Sequence, residues 1–199
     1  MNEIYCIPKN DNEKRFVIGK KGNRNLLCIG LNPNTANEIK LDATSENFER
    51  IAKDNGFDGW FLVNLYPTRN PKGKNLNNIV DDKLFWENIN QIDAITSSKE
   101  LKFSDVLLGW GDDINEKVYF KHSIYQIYDR LKKHNLDYYS YRINQSGNPS
   151  HPSPMVINTR YKSTDKLTIT EFDFESYASN LKSELNMISS ITVNGNEFK

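Results

Sequence analysis

Residues 26–36 read LLCIGLNPNTA, from Leu26 to Ala36. Leu26-Leu27-Cys28-Ile29-Gly30 is a short apolar run bounded by a turn, which suits a strand buried on both faces of a parallel sheet. The chain then turns polar. Gly30 lets the backbone turn or approach a ligand closely, Pro33 fixes its own φ and biases Asn32 towards an extended conformation, and Asn34-Thr35 can cap the next segment. Ligands of open α/β sheets sit at the carboxyl ends of strands, so the loop GLNPNT is the first candidate site.

The rest of the chain repeats this pattern. After a helix expected over Ser45–Asn55, capped by Thr44 or Ser45 and carrying Phe48, Ile51 and Ala52 at helical spacing, comes the run WFLVNL from Trp60 to Leu65. Asn64 near its end is an amide at the carboxyl end of a buried strand. It is either satisfied by backbone or reads a ligand. A long amphipathic stretch over Asn75–Thr96, breaking near Asp81, precedes the third run, DVLLGW from Asp105 to Trp110. A helix over Ile114–His134 leads to the fourth, LDYYSYRI from Leu136 to Ile143. Before the first run, Glu3–Pro8 and Lys14–Ile18 are β-prone and read as a hairpin on an edge of the domain.

GNPSHPSPMVINTR, from Gly147 to Arg160, follows the fourth strand. Three prolines stiffen it without regular structure, and His151 between Ser150 and Pro152 suits a general acid or an electrostatic catalyst. His122 and His134 have no partner at metal spacing, and no metal site is expected.

With 199 residues, the chain suits one well-buried domain. Ten Phe, ten Tyr and three Trp supply enough apolar area to exclude disorder. Zero formal charge removes any global pull on a polyanion, so nucleic-acid binding has to rest on local patches. Cys6 and Cys28 lack metal or redox spacing and are expected to be reduced. With no membrane-length apolar run and no signal pattern, a cytoplasmic protein is expected.

Four segments in order, GLNPNT, VNLYP, LLGWG and HPSPM, resemble the uracil-DNA glycosylase superfamily over residues 26–160, HPSPM being the most specific. LNPNTA, Asp42-Ala43-Thr44 and NLYPTR also resemble an uncharacterised family, domain of unknown function 1643. The superfamily resemblance implies a three-layer α/β/α domain with a four-stranded, mainly parallel sheet. The single domain would span 1–190, made of a hairpin (1–20), a glycosylase-like core (24–165) and a C-terminal helix (172–190), with 191–199 as a tail. It implies an N-glycosidic hydrolase acting on a modified or mismatched base in single-stranded or mismatched DNA, in DNA repair, as a monomer without cofactor. A silent nucleic-acid or nucleobase binder and a nucleotide-level hydrolase are the alternatives.

The resemblance also implies roles. Asn32 stands where one branch has a water-activating aspartate, so it would orient water, and Asp42 or Asp112 is left to supply a carboxylate. His151 would stabilise the departing base, Asn64 would read its edge, and Tyr66 or Phe48 would stack on it. Met155 would enter the duplex as an apolar wedge, Ser153 would grip a phosphate, and Arg69, Lys72 and Arg160 would hold the strand. Asn34 and Thr35 replace the tyrosine and histidine of the aspartate branch, and two cysteines cannot hold the cluster of the iron-sulfur branches.

Overall fold

The computed structural model describes residues 3–70 and 76–192, with side chains up to residue 186. The apolar run LLCIG lies in strand β3 (Asn25–Gly30), all six residues of which are buried. β4 (Gly59–Asn64) and β5 (Phe103–Leu108) pair with it on either side, both parallel, and β6 (Asp137–Ser140) continues parallel beyond β5. These are the four expected strands.

The sheet itself is larger than four strands. It has seven, in the order β1-β2-β4-β3-β5-β6-β7, and the outer pairings are antiparallel. The hairpin of β1 (Tyr5–Ile7) and β2 (Val17–Lys20) does not merely pack on the domain; β2 hydrogen-bonds along β4 from Val17↔Val63 to Lys20↔Trp60. β7 (Thr170–Glu171) closes the opposite edge and is too short to show periodicity.

Strand alternation builds two apolar layers. Leu26, Cys28, Trp60, Leu62 and Leu107 face Phe48, Ile51 and Ala52 of α1 (Ala43–Asp54) and Ile157 of α4 (Pro154–Arg160). Leu27, Ile29, Phe61, Val63, Val106 and Leu108 face α2 (Asp82–Thr96), α3 (Val118–Leu131) and α5 (Phe174–Thr192). The domain is therefore three-layered. Each fully buried aliphatic side chain contributes roughly 1.5–3 kcal/mol, which fixes the register of the central strands.

Two local corrections bear on the site. α1 is capped by Asp42 rather than Thr44 or Ser45, since Asp42 Oδ1 accepts the Ser45 N–H at 2.8 Å. The proline-rich segment is not wholly irregular: Ser153 caps α4 and Pro154 occupies its first turn, where a missing N–H costs nothing. No helix among the described residues is long and apolar enough to cross a membrane.

Candidate functional site

The chain leaves β3 towards β4 on one side, whereas β5 continues to β6 on the other. Between β3 and β5 the connections diverge, and loops at such a switch point part to leave a crevice. A cavity of about 150 Å³ lies there, lined by Leu31, Asn32 and Asn34 after β3, Asp42, Thr44, Ser45 and Phe48 of α1 and its cap, Leu62, Asn64 and Asn70 of β4 and beyond, and Arg15, Asp113 and His151. Asn32 and His151 from two loops and Asn64 from the end of β4 thus meet in one pocket. Beside it opens a groove of about 830 Å³ lined by Asp112, Arg142, Met155 and Arg160 among others.

Asn64 ends β4 and is 2% exposed. Asn88 Nδ2 donates to its backbone carbonyl at 2.9 Å, so the main chain is satisfied. Its own Nδ2 is buried with no hydrogen-bond partner. Gly30 opposite makes room, since a Cβ there would stand 2.8 Å from Asn64 Oδ1. An orphaned buried amide costs about 1–3 kcal/mol, so the fold holds at this position a donor that it does not itself use.

His151 is held by its backbone. Its carbonyl accepts from the Tyr141 hydroxyl at 3.2 Å and the Ser153 N–H at 2.8 Å, while Asn47 Nδ2 donates to the Pro152 carbonyl at 2.9 Å. The ring stands edge-on to Phe48, centroids 6.5 Å apart. Burial pushes its pKa down to about 4, against the opposing carboxylates of Asp113 and Asp42, so the imidazole is neutral at pH 7. Gly111, at φ 78°, passes so close that a Cβ would lie 2.9 Å from His151 Cβ.

The loop after β3 is clamped around these groups. The Asn70 N–H donates to the Pro33 carbonyl at 2.9 Å, and Arg69 Nη1 donates to the carbonyls of Asn34 at 2.9 Å and Ala36 at 2.8 Å. Asn32 Nδ2 donates to the Pro33 carbonyl at 3.3 Å, leaving its Oδ1 for another partner. Arg15, 1% exposed, reaches the Ala36 carbonyl at 3.0 Å through Nη1 while its Nε stays unpartnered; burial draws its pKa down to about 10, resisted by Asp42. Burial would raise the Asp42 carboxyl, but the Ser45 and Ala36 N–H groups and Arg15 hold it below the usual range.

The described chain brings some of the expected residues together and not others. Phe48 walls the pocket. Tyr66 lies apart, on the other face of the sheet, against Tyr119 at 4.8 Å with its hydroxyl accepting from the Asp81 N–H. Arg69 spends its guanidinium on loop carbonyls and on the Asp11 carbonyl at 3.0 Å, and Ser153 Oγ caps α4. Met155 is 76% exposed, on the first turn of α4 rather than on an irregular loop, and Arg160 ends that helix; both line the groove. Lys72 lies outside the described residues. Arg15 and Asp113 were missed. A charged residue inside a short β-prone run, as Arg15 is in Lys14–Ile18, gives no sign of burial, and adjacent aspartates cannot be ranked by pattern.

A family described as protein of unknown function (DUF1643) matches residues 15–153. The chain belongs to the DUF1643 family. The match opens at Arg15 and closes two residues beyond His151, so every residue lining the pocket falls within the DUF1643 segment, whereas Met155 and Arg160 fall outside it. No curated protein matches the chain.

Proposed function

We propose that this DUF1643 protein hydrolyses the N-glycosidic bond of a modified or mismatched base in DNA, with the extruded base received in the pocket beneath Asn64. The observation that carries the reading is the unpartnered Asn64 amide, buried in a cavity of about 150 Å³ walled by Phe48. An amide offers one donor and one acceptor face to a pyrimidine edge. An engineered cavity of about 150 Å³ takes up benzene, so the volume suits a single six-membered ring. A neutral His151 donates a hydrogen bond to the base oxygen where charge develops as the bond breaks, without having to lose its only acceptor site. Asn32 orients the attacking water.

The adjoining groove has the size to hold a strand, and although Asp112 and Asp113 balance Arg142 and Arg160 in its lining, the two arginines can meet individual phosphates beside exposed Met155. The uracil-DNA glycosylase-like form of the fold is part of the same reading, supported by the four motifs and by the convergence of their loops. The two free cysteines, both buried, suit a cytoplasmic monomer working in DNA repair.

The test is overnight incubation of excess protein with single-stranded and mismatched oligonucleotides containing uracil, hypoxanthine or xanthine. Slow formation of abasic product is expected from the uracil strands, whose single six-membered ring the pocket fits, with the bicyclic purines as the size comparison. His151→Ala should lose at least about a hundredfold of the rate, the usual cost of one well-placed electrostatic donor. A second reading, a silent binder of nucleobase or nucleic acid, is favoured by Asn32, which has no proton-accepting charge; it predicts no product and unchanged oligonucleotide affinity in His151→Ala.

A further inference from the structure

Hydrolysis needs a group to take the proton of the attacking water, and the amide of Asn32 is no base at neutral pH. On the reading above, the scissile bond joins a base in the small cavity to a sugar at the edge of the groove. Residues lining both spaces therefore flank that bond. They are Asn34, Thr44, Asp113 and His151. His151 is committed on that reading to donating its N–H to the departing base, and Asn34 and Thr44 carry no charge.

The other carboxylates nearby are already engaged. Asp42 accepts the Ser45 N–H on Oδ1 at 2.8 Å and the Ala36 N–H on Oδ2 at 2.9 Å, as helix cap and loop clamp. Asp112 ties down the turn before His151, with Oδ1 accepting from Ser146 Oγ at 2.5 Å and Asn148 Nδ2 at 2.8 Å and Oδ2 from Asn144 Nδ2 at 3.0 Å. It lines the groove but not the pocket. Asp113 is the second residue of the 3₁₀ turn Asp112–Glu116 and makes no side-chain hydrogen bond or ion pair among the described residues. It is also the carboxylate acting most strongly on His151.

We propose that Asp113 is the general base of the reaction, supplying from the loop after β5 an unengaged carboxylate, where the one in the loop after β3, Asp42, is held by the Ser45 and Ala36 N–H groups. The inference rests on the hydrolase reading of the same pocket. In the step, the water oxygen bonds to C1′ as the C1′–N bond breaks, its electron pair leaving with the base. The water proton passes to the Asp113 carboxylate and from there to solvent. The base anion, held by His151 and Asn64, takes a proton from solvent. The Asp113 charge also faces the positive charge that develops on the sugar ring.

The experiment measures single-turnover release of uracil from a uracil-containing single strand, together with affinity for that strand and for free uracil. Asp113→Asn should slow release by about a hundredfold or more, the usual contribution of a general base, with both affinities unchanged. Added formate should restore part of the rate to Asp113→Ala, because a small carboxylate can enter the space vacated at the mouth. Release from Asp113→Asn at the wild-type rate overturns the inference and leaves the hydrolase reading standing. A rate loss matched by equal loss of affinity, without formate rescue, also overturns it. No release by the wild-type protein removes the hydrolase reading and this inference with it.

Discussion

Asn64→Leu exchanges the orphaned amide for an apolar group of nearly the same shape. The backbone carbonyl of residue 64 keeps its bond from Asn88, so the substitution touches only the side chain. The wild-type protein bears the cost of an unpartnered buried donor, about 1–3 kcal/mol, and leucine removes that cost while adding contact with Leu62 and Phe48. Part of the gain is lost against the Oδ1 side, where Gly30 approaches closely, leaving a net stabilisation of about 1 kcal/mol. For a domain of this size that is roughly 2–4 °C in melting temperature. Thermal unfolding at pH 7 gives the stability, and calorimetric titration with free uracil gives the function, which should be lost. A residue kept for binding at the expense of stability behaves this way. Destabilisation by 2 kcal/mol or more would mean that the amide serves the fold, and the reasoning about Asn64 would fail.

Three further outcomes are expected. His151 has a folded pKa of about 4 against an ordinary 6.5, so the native state binds fewer protons than the unfolded chain between those values; its contribution is complete above pH 6.5 and is lost as pH falls towards 4. Comparing urea unfolding of wild type and His151→Gln at pH 7 and pH 4 should show the wild type losing about 2 kcal/mol more, after allowance for partial exposure, and parallel losses would refute the assignment. Gly111→Ala should destabilise by about 1–2 kcal/mol from its left-handed φ alone and slow base release by displacing His151; a variant with unchanged stability would contradict the close approach. Asn32→Asp should retain or raise the release rate, because a carboxylate can polarise water, and a fall in rate at unchanged uracil affinity would count against Asn32 facing the water.

The four parallel strands were legible because buried strands of an α/β sheet must be apolar throughout, and LLCIG, WFLVNL and DVLL can hardly be anything else. The loops converge as a consequence, but it was the resemblance of GLNPNT, VNLYP and HPSPM to glycosylase motifs, not the spacing, that grouped Asn32, Asn64 and His151. Tyr66 could not be placed. Two residues after Asn64 it would share a face in a continuing strand, but the strand ends at Asn64, and Tyr66 turns to pack on Tyr119. α4 was hidden because Pro154 reads as a breaker, whereas at the first turn of a helix proline is well tolerated. The burial of Arg15 and the division of labour between Asp112 and Asp113 depend on contacts made across the fold, by Ala36 for the one and by Ser146 and Asn148 for the other. Nothing local in the sequence encodes them.

The most direct test of the central claim is a crystal structure of the His151→Ala protein with a uracil-containing single strand. The base is expected inside the pocket against Phe48, with Asn64 Nδ2 within hydrogen-bonding distance, about 2.7–3.2 Å, of a base oxygen. The strand would lie along the groove beside Arg160. A base bound elsewhere, or a strand in the groove with the pocket holding only water around Asn64, would contradict it.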